Sequence, residues 1–150
     1  MTLYTKLHLA YIGKLEKNNI INILNYATHS SGVLFNAYDF KVLDDENKEV
    51  ALQVRKGKSG ESQIYHNGKL LSISGIYQET SAKINDNSQY IIIEANFTEP
   101  NIIATAKDSY KKHDDESVYR SFRGSEPQLE LGMEYFLQKI SACPTINLYP

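Results

Sequence analysis

One cysteine, no tryptophan, four prolines and no apolar run beyond about four residues set the first limits on this 150-residue sequence. Cys143 stands alone, which excludes an intramolecular disulfide framework and a multi-cysteine zinc site. The longest apolar stretches, such as Leu9–Ile12 and Tyr90–Ile93, fall far short of the roughly 18 residues of a membrane-spanning helix. No membrane is therefore expected as a partner. Met1 to Lys6 show no basic head leading into an apolar run and a small-residue cleavage site, so no secretory signal is read there. A cytoplasmic address is the expectation. Strong charge of either sign is also missing, with a net charge of −2 and a pI near 6.1. Binding to phosphate backbones draws on a basic face that displaces counterions, so a nucleic-acid partner is not expected.

What is present is enough to fold. About a quarter of the residues are Leu, Ile, Val or Phe, above the fifth or so below which chains stay disordered. With no repeat and no linker-like stretch, residues 1–150 are expected to form a single α+β domain. The class follows from the periodicities. Ile20, Ile23, Leu24 and Ala27 share one helix face, with Lys14, Lys17, Asn18, Asn22 and Asn25 mostly off it. Leu3–Ile12 fits helical and strand spacing alike, with helix the preferred reading. Ser30-Ser31-Gly32 ends this N-terminal helical region.

Val33–Leu43 and Val50, Leu52 and Val54 alternate on either side of the polar turn Asp44–Lys48, which predicts a hairpin. Asn67-Gly68, between Ser62–His66 and Lys69–Tyr77, predicts a second one, because a type I′ turn demands two positive-φ positions. Gln78–Asn87 reads as a loop, and Gln89–Phe97 as a strand. Its Ile91-Ile92-Ile93 run suggests burial on both faces and hence a central strand. Asn101–Lys112 fits helix or strand equally, and Glu116–Arg123 allows a short strand. Ser125 as N-cap, Pro127 in the first turn and Gln128 completing a capping box open a C-terminal helix. Leu129, Met133, Phe136, Leu137 and Ile140 form its apolar stripe, and Pro144 closes it. The expected fold is an antiparallel sheet of about five or six strands, with the N-terminal helical region and this amphipathic helix packed on it.

Motifs for chemistry are scarce. Gly57-Lys58-Ser59 matches the end of a phosphate-binding loop, but Leu52 stands where its first glycine belongs and no helix follows. It reads as an exposed, locally basic hairpin loop with Arg55 and Lys56. His8, His29, His66 and His113 lack metal-ligand spacing. His113-Asp114-Asp115-Glu116 reads as a solvated charged loop, and Asp44–Glu49 as a turn lacking the glycine of a calcium loop. Cys143 lacks the glycines of a nucleophile elbow and reads as a small hydrophobe. No catalytic residue, metal site or cofactor is assigned.

Tyr119, Arg120, Phe122 and Arg123 carry the one segment with a binding character. Two of the three arginines interleave there with aromatic rings, and both types are enriched at binding hot spots. The competing reading packs Tyr119 and Phe122 under the C-terminal helix and pairs the arginines with surface acids. The expected function is a non-catalytic module of bacterial or phage type, an immunity protein, antitoxin or inhibitor, with another protein as its partner. The alternative is a small-ligand binder or cofactor-free enzyme. Its pocket would lie between a curved sheet and the helices, lined by Tyr38, Tyr65, His66, Tyr77 and Tyr90.

Overall fold

A computed structural model describes residues 1–44, 50–111 and 128–143. The chain opens with helices α1 (Leu3–Tyr11) and α2 (Asn19–Ser31). Thr2 and Asn18 cap them: the Asn18 side chain accepts the backbone N–H groups of Ile20 and Ile21 at 2.9 and 3.2 Å. Both caps satisfy orphan donors of a first helical turn. Asn22, expected off the buried face, is buried instead. Its amide clamps the α1–α2 connection, accepting from the Glu16 N–H at 2.8 Å and donating to the Glu16 carbonyl at 2.7 Å. Gly32, at φ +81°, ends α2 in the left-handed conformation that glycine adopts without a steric penalty.

Strand β1 (Leu34–Asp39) follows, and then the chain departs from the expected hairpin. The Asp39 side chain accepts the Lys41 N–H at 2.9 Å and caps a helical turn, α3 (Phe40–Leu43). β1 therefore leaves the sheet at Asp39 and does not pair with the next strand. Its partner is the distant β6 (Ile91–Asn96), antiparallel, with Asn36 opposite Glu94 and Tyr38 opposite Ile92. The remaining strands, β2 (Leu52–Lys56), β3 (Ser62–His66), β4 (Lys69–Ile73) and β5 (Tyr77–Gln78), form a second antiparallel sheet in that order. At the β3–β4 turn, Asn67 and Gly68 hold φ of +47° and +76°, as the type I′ turn requires.

The fold class is thus α+β with antiparallel sheets and helices at both ends, and among the described residues six strands are divided between two sheets. β6 is not a central strand: among the described residues it pairs only with β1. Burial on both faces has another origin. Ile91 and Ile93 pack against the helices, while Ile92 packs on the opposite side with Tyr38 and Leu71.

Pro100–Lys107 is a helix, α4, whose Ile103 and Ala106 pack on Ile73 of β4 and Ile76 of the turn that follows it. The last helix, α5 (Leu129–Ser141), starts later than the capping-box pattern predicts. Gln128 is itself the N-cap residue, extended and without a capping side-chain bond, while Ser125, Pro127 and Pro144 lie outside the described residues.

The stripe on α5 also differs from the expected one. Gly132, Phe136 and Ile140 are buried, Met133 is half-buried, and Leu129 and Leu137 are exposed. Phe136 stacks on Phe35 of β1 at 5.1 Å between ring centroids. Gly132 allows the close approach, since a Cβ there would lie 2.3 Å from Val33 Cγ2. Gly132→Ala is expected to destabilise the fold by about 1–2 kcal/mol, the overpacking cost exceeding the helix-propensity gain. Urea unfolding of Gly132→Ala in wild-type and Val33→Ala backgrounds checks this, with the smaller loss expected in the second. No described helix is long and apolar enough to cross a membrane.

Candidate functional site: a polar seam between the sheets

Strand alternation gives the β1–β6 ribbon two unlike faces. Phe35, Ala37, Ile91 and Ile93 point to α2 and α5. The other face carries Asn36 and Tyr38 from β1 and Glu94 and Asn96 from β6, set by the period of two and by the Asn36–Glu94 register. Ser72 of β4 and Ser74 just beyond it meet this face from the second sheet.

Glu94 is the centre of the seam. Its carboxylate accepts from Asn96 Nδ2 at 2.6 Å, Asn36 Nδ2 at 3.4 Å and Ser72 Oγ at 3.5 Å. It also accepts a hydrogen bond from the Tyr38 hydroxyl. That hydroxyl lies 2.7 Å from Ser72 Oγ. The network continues as the Ser74 hydroxyl donates to Asn96 Oδ1, and Thr98 Oγ1 donates to Ser74 at 2.7 Å. Tyr38, Ser72, Ser74 and Thr98 are buried, whereas Asn36, Glu94 and Asn96 are half-buried. Burial, followed by the Glu94 carboxylate, pushes the Tyr38 phenol far above its ordinary value, so it remains a donor throughout the neutral range. The seam thus presents a fixed carboxylate acceptor with buried donors behind it.

A second cluster fixes the basic turn between β2 and β3. Glu61 is 1% exposed, and it accepts from the Ser59 N–H at 3.0 Å, from Gln63 Nε2 at 3.1 Å and from the Tyr110 hydroxyl beyond α4. Burial on its own would raise this carboxyl. The hydrogen bonds from Tyr110, its own backbone, Gln63 and Ser59 outweigh burial and hold it below the ordinary glutamate value. Tyr110 is pushed up to about 12 by burial and then by Glu61. Gln63 also donates to the Tyr110 hydroxyl at 2.8 Å and accepts from Tyr65 at 2.9 Å. The cluster therefore ties the turn and β3 to the end of α4.

The pocket residues expected from sequence occupy separate surroundings. Tyr38 lies in the seam. The Tyr65 ring lies beneath the Arg55 guanidinium, 4.5 Å from its centroid. His66 is buried; Nδ1 donates to the Ala51 carbonyl at 3.0 Å, leaving Nε2 to accept from Asn67 Nδ2 at 3.0 Å. Tyr77 is half-buried and donates to Glu79, and Tyr90 is exposed beside Phe40. Tyr119, Arg120, Phe122 and Arg123 lie outside the described residues, as does His113–Glu116. Sequence reasoning did not single out Glu94, Asn36, Asn96, Ser72 or Ser74. Polar residues at every second position of strands otherwise rich in isoleucine and leucine were the available signal.

No family model matches the chain. It is 47% identical over 147 residues to the phenylalanine–tRNA ligase beta subunit of Campylobacter jejuni subsp. jejuni, a match covering 98% of this chain and 19% of that protein. The beta subunit of Sulfurimonas denitrificans is 30% identical over 145 residues, and that of Helicobacter hepaticus 35% over 143. These matches cover 96% and 88% of this chain, and 19% and 17% of the relatives. The similarity overturns the expected immunity protein, antitoxin or inhibitor, and it does not point to the alternative of a small-ligand binder or cofactor-free enzyme. The relatives are tRNA ligase subunits by name, so the expectation that nucleic acid is not a partner finds no support in them. Along almost its whole length this chain is similar to a segment of phenylalanine–tRNA ligase beta subunits, and it spans about a fifth of their length.

Proposed function

We propose that this chain is one folded module of a phenylalanine–tRNA ligase of the beta-subunit type. It works in the cytoplasm beside a second kind of subunit, in an assembly that joins phenylalanine to tRNA. The observation that carries this reading is the 47% identity over 98% of the chain. The match runs through both sheets and the described helices, so it covers the folded unit and not a single motif. Within this reading, Glu94 is the group positioned to accept a hydrogen bond from a substrate. Phenylalanine offers an ammonium and tRNA offers ribose hydroxyls, both donors to a carboxylate.

A chimera tests the reading. The matched 147 residues of the Campylobacter beta subunit are replaced by this chain, and the product is purified with its partner subunit. Formation of phenylalanyl-tRNA within about tenfold of the parent enzyme is expected, a span of 1.4 kcal/mol in transition-state free energy. A chimera that assembles but charges no tRNA refutes the assignment.

A further inference from the structure

Helix α1 is amphipathic in the wrong direction for a free-standing protein. At 100° per residue, Leu3, Leu7 and Tyr11 follow one another along a face that Tyr4 completes. That face points to solvent: Leu3 is 73% exposed, Tyr4 71%, Leu7 61% and Tyr11 89%. The opposite face, with Thr5 and Leu9, is the buried one. The helix is well formed, with Thr2 capping it and His8 edge-on to the Tyr26 ring of α2 at 5.5 Å. Its outward stripe is therefore held in place, not produced by fraying.

We infer that the outward face of α1 (Leu3, Tyr4, Leu7 and Tyr11) docks against an apolar surface of the remainder of a beta-subunit-type polypeptide. The inference rests on the module reading given above. Two observations choose this occupant over a second copy of the chain. The first is size: a tyrosine side chain covers on the order of 150 Å² or more, so the patch offers roughly 500–600 Å². A free-standing complex needs about 800 Å² from each partner. Contacts between domains of one chain are often smaller, because the covalent link supplies a high effective concentration. The second is the length of the relatives, about four-fifths of which lies outside the matched segment. Apolar patches of this size on soluble proteins mark interaction surfaces.

The test compares backbone amide exchange in α1 between the 150-residue chain alone and the Campylobacter chimera. Each is made with and without the double substitution Leu7→Lys and Tyr11→Lys, which retains helix propensity. Exchange in α1 is expected to slow at least tenfold on going from the isolated chain to the chimera, and the double substitution is expected to abolish that protection. The isolated chain should melt within about 2 °C of its substituted form, as exposed positions do. Protection in the chimera that survives the substitution overturns this inference alone. An isolated chain that dimerises at micromolar concentration, and becomes monomeric on substitution, assigns the face to a second copy instead. Failure of the unsubstituted chimera to assemble defeats the module reading, and this inference with it.

Discussion

Replacing Gly57 by alanine should lower stability by about 2–3 kcal/mol, the upper part of the range for inserting an atom where none fits. A Cβ at this position would lie 1.7 Å from Glu61 Oε1 and 2.2 Å from its Cδ. Backbone strain adds nothing, because the Gly57 φ lies outside the left-handed range. Most of the cost therefore comes from displacing a carboxylate that three donors hold in place, with Gln63 Nε2, 2.6 Å from the same Cβ, as the smaller clash. For a chain of this size the loss corresponds to a fall in Tm of roughly 5–10 °C. A double-mutant cycle isolates the cause: in a Glu61→Ala background the same Gly57→Ala change should cost well under 1 kcal/mol. Costs that simply add would show that the clash is not with Glu61. The carboxyl leaves a pH signature as well. Its native value is depressed below 4.5, so its contribution is complete above that pH and is lost as pH falls through the native value. Glu61→Gln should flatten the acid limb of a stability–pH curve, and an unchanged limb would contradict the assignment.

Truncating Tyr38 should be the most damaging single change in the seam. Tyr38→Ala removes a fully buried ring between the two sheets, at a cost of about 3–5 kcal/mol, comparable with other aromatic truncations. Tyr38→Phe retains the ring and separates packing from polarity. Glu94 then keeps its bonds from Asn96, Asn36 and Ser72 but loses its phenolic donor, and a hydrogen bond to a charged group is worth about 1.5–3 kcal/mol. Denaturant midpoints for both variants at constant m check the two figures. Equal losses for phenylalanine and alanine would mean that the ring contributes nothing beyond its hydroxyl. A further Glu94→Gln change on Tyr38→Phe should cost little more, since the two groups answer to one another.

The sequence carried local structure further than it carried contacts. Asn67-Gly68 identified its turn because that dipeptide has few other conformations to offer, and alternation identified which residues of β1 and β6 share a face. Pairing is a different question. Val33–Leu43 and Val50–Val54 lie close in sequence and alternate alike, yet one Asp39 cap turns the chain aside and sends the two strands to different sheets. Asn22 was misplaced for a similar reason: its amide answers to a backbone six residues away, which no helical period encodes. The seam was hidden more deeply. Tyr38, Ser72 and Glu94 each sit in an unremarkable strand pattern, and only the meeting of β1, β4 and β6 makes them one network. The relationship to tRNA ligase subunits was distributed over the whole chain and concentrated in no short motif.

The two-faced ribbon also bears on how this chain avoids misfolding. β1 and β6 are separated by more than fifty residues, and pairings of such long range form slowly and sample wrong alignments. Sliding β6 by one residue turns every side chain to the other face. Glu94 would then enter the apolar layer formed by Ile23, Phe35 and Phe136, and Ile93 would face the serines of β4. Both errors are costly at once, because an unpaired charge resists transfer into apolar surroundings. The polar seam thus also specifies strand alignment, because a one-residue slip incurs both errors.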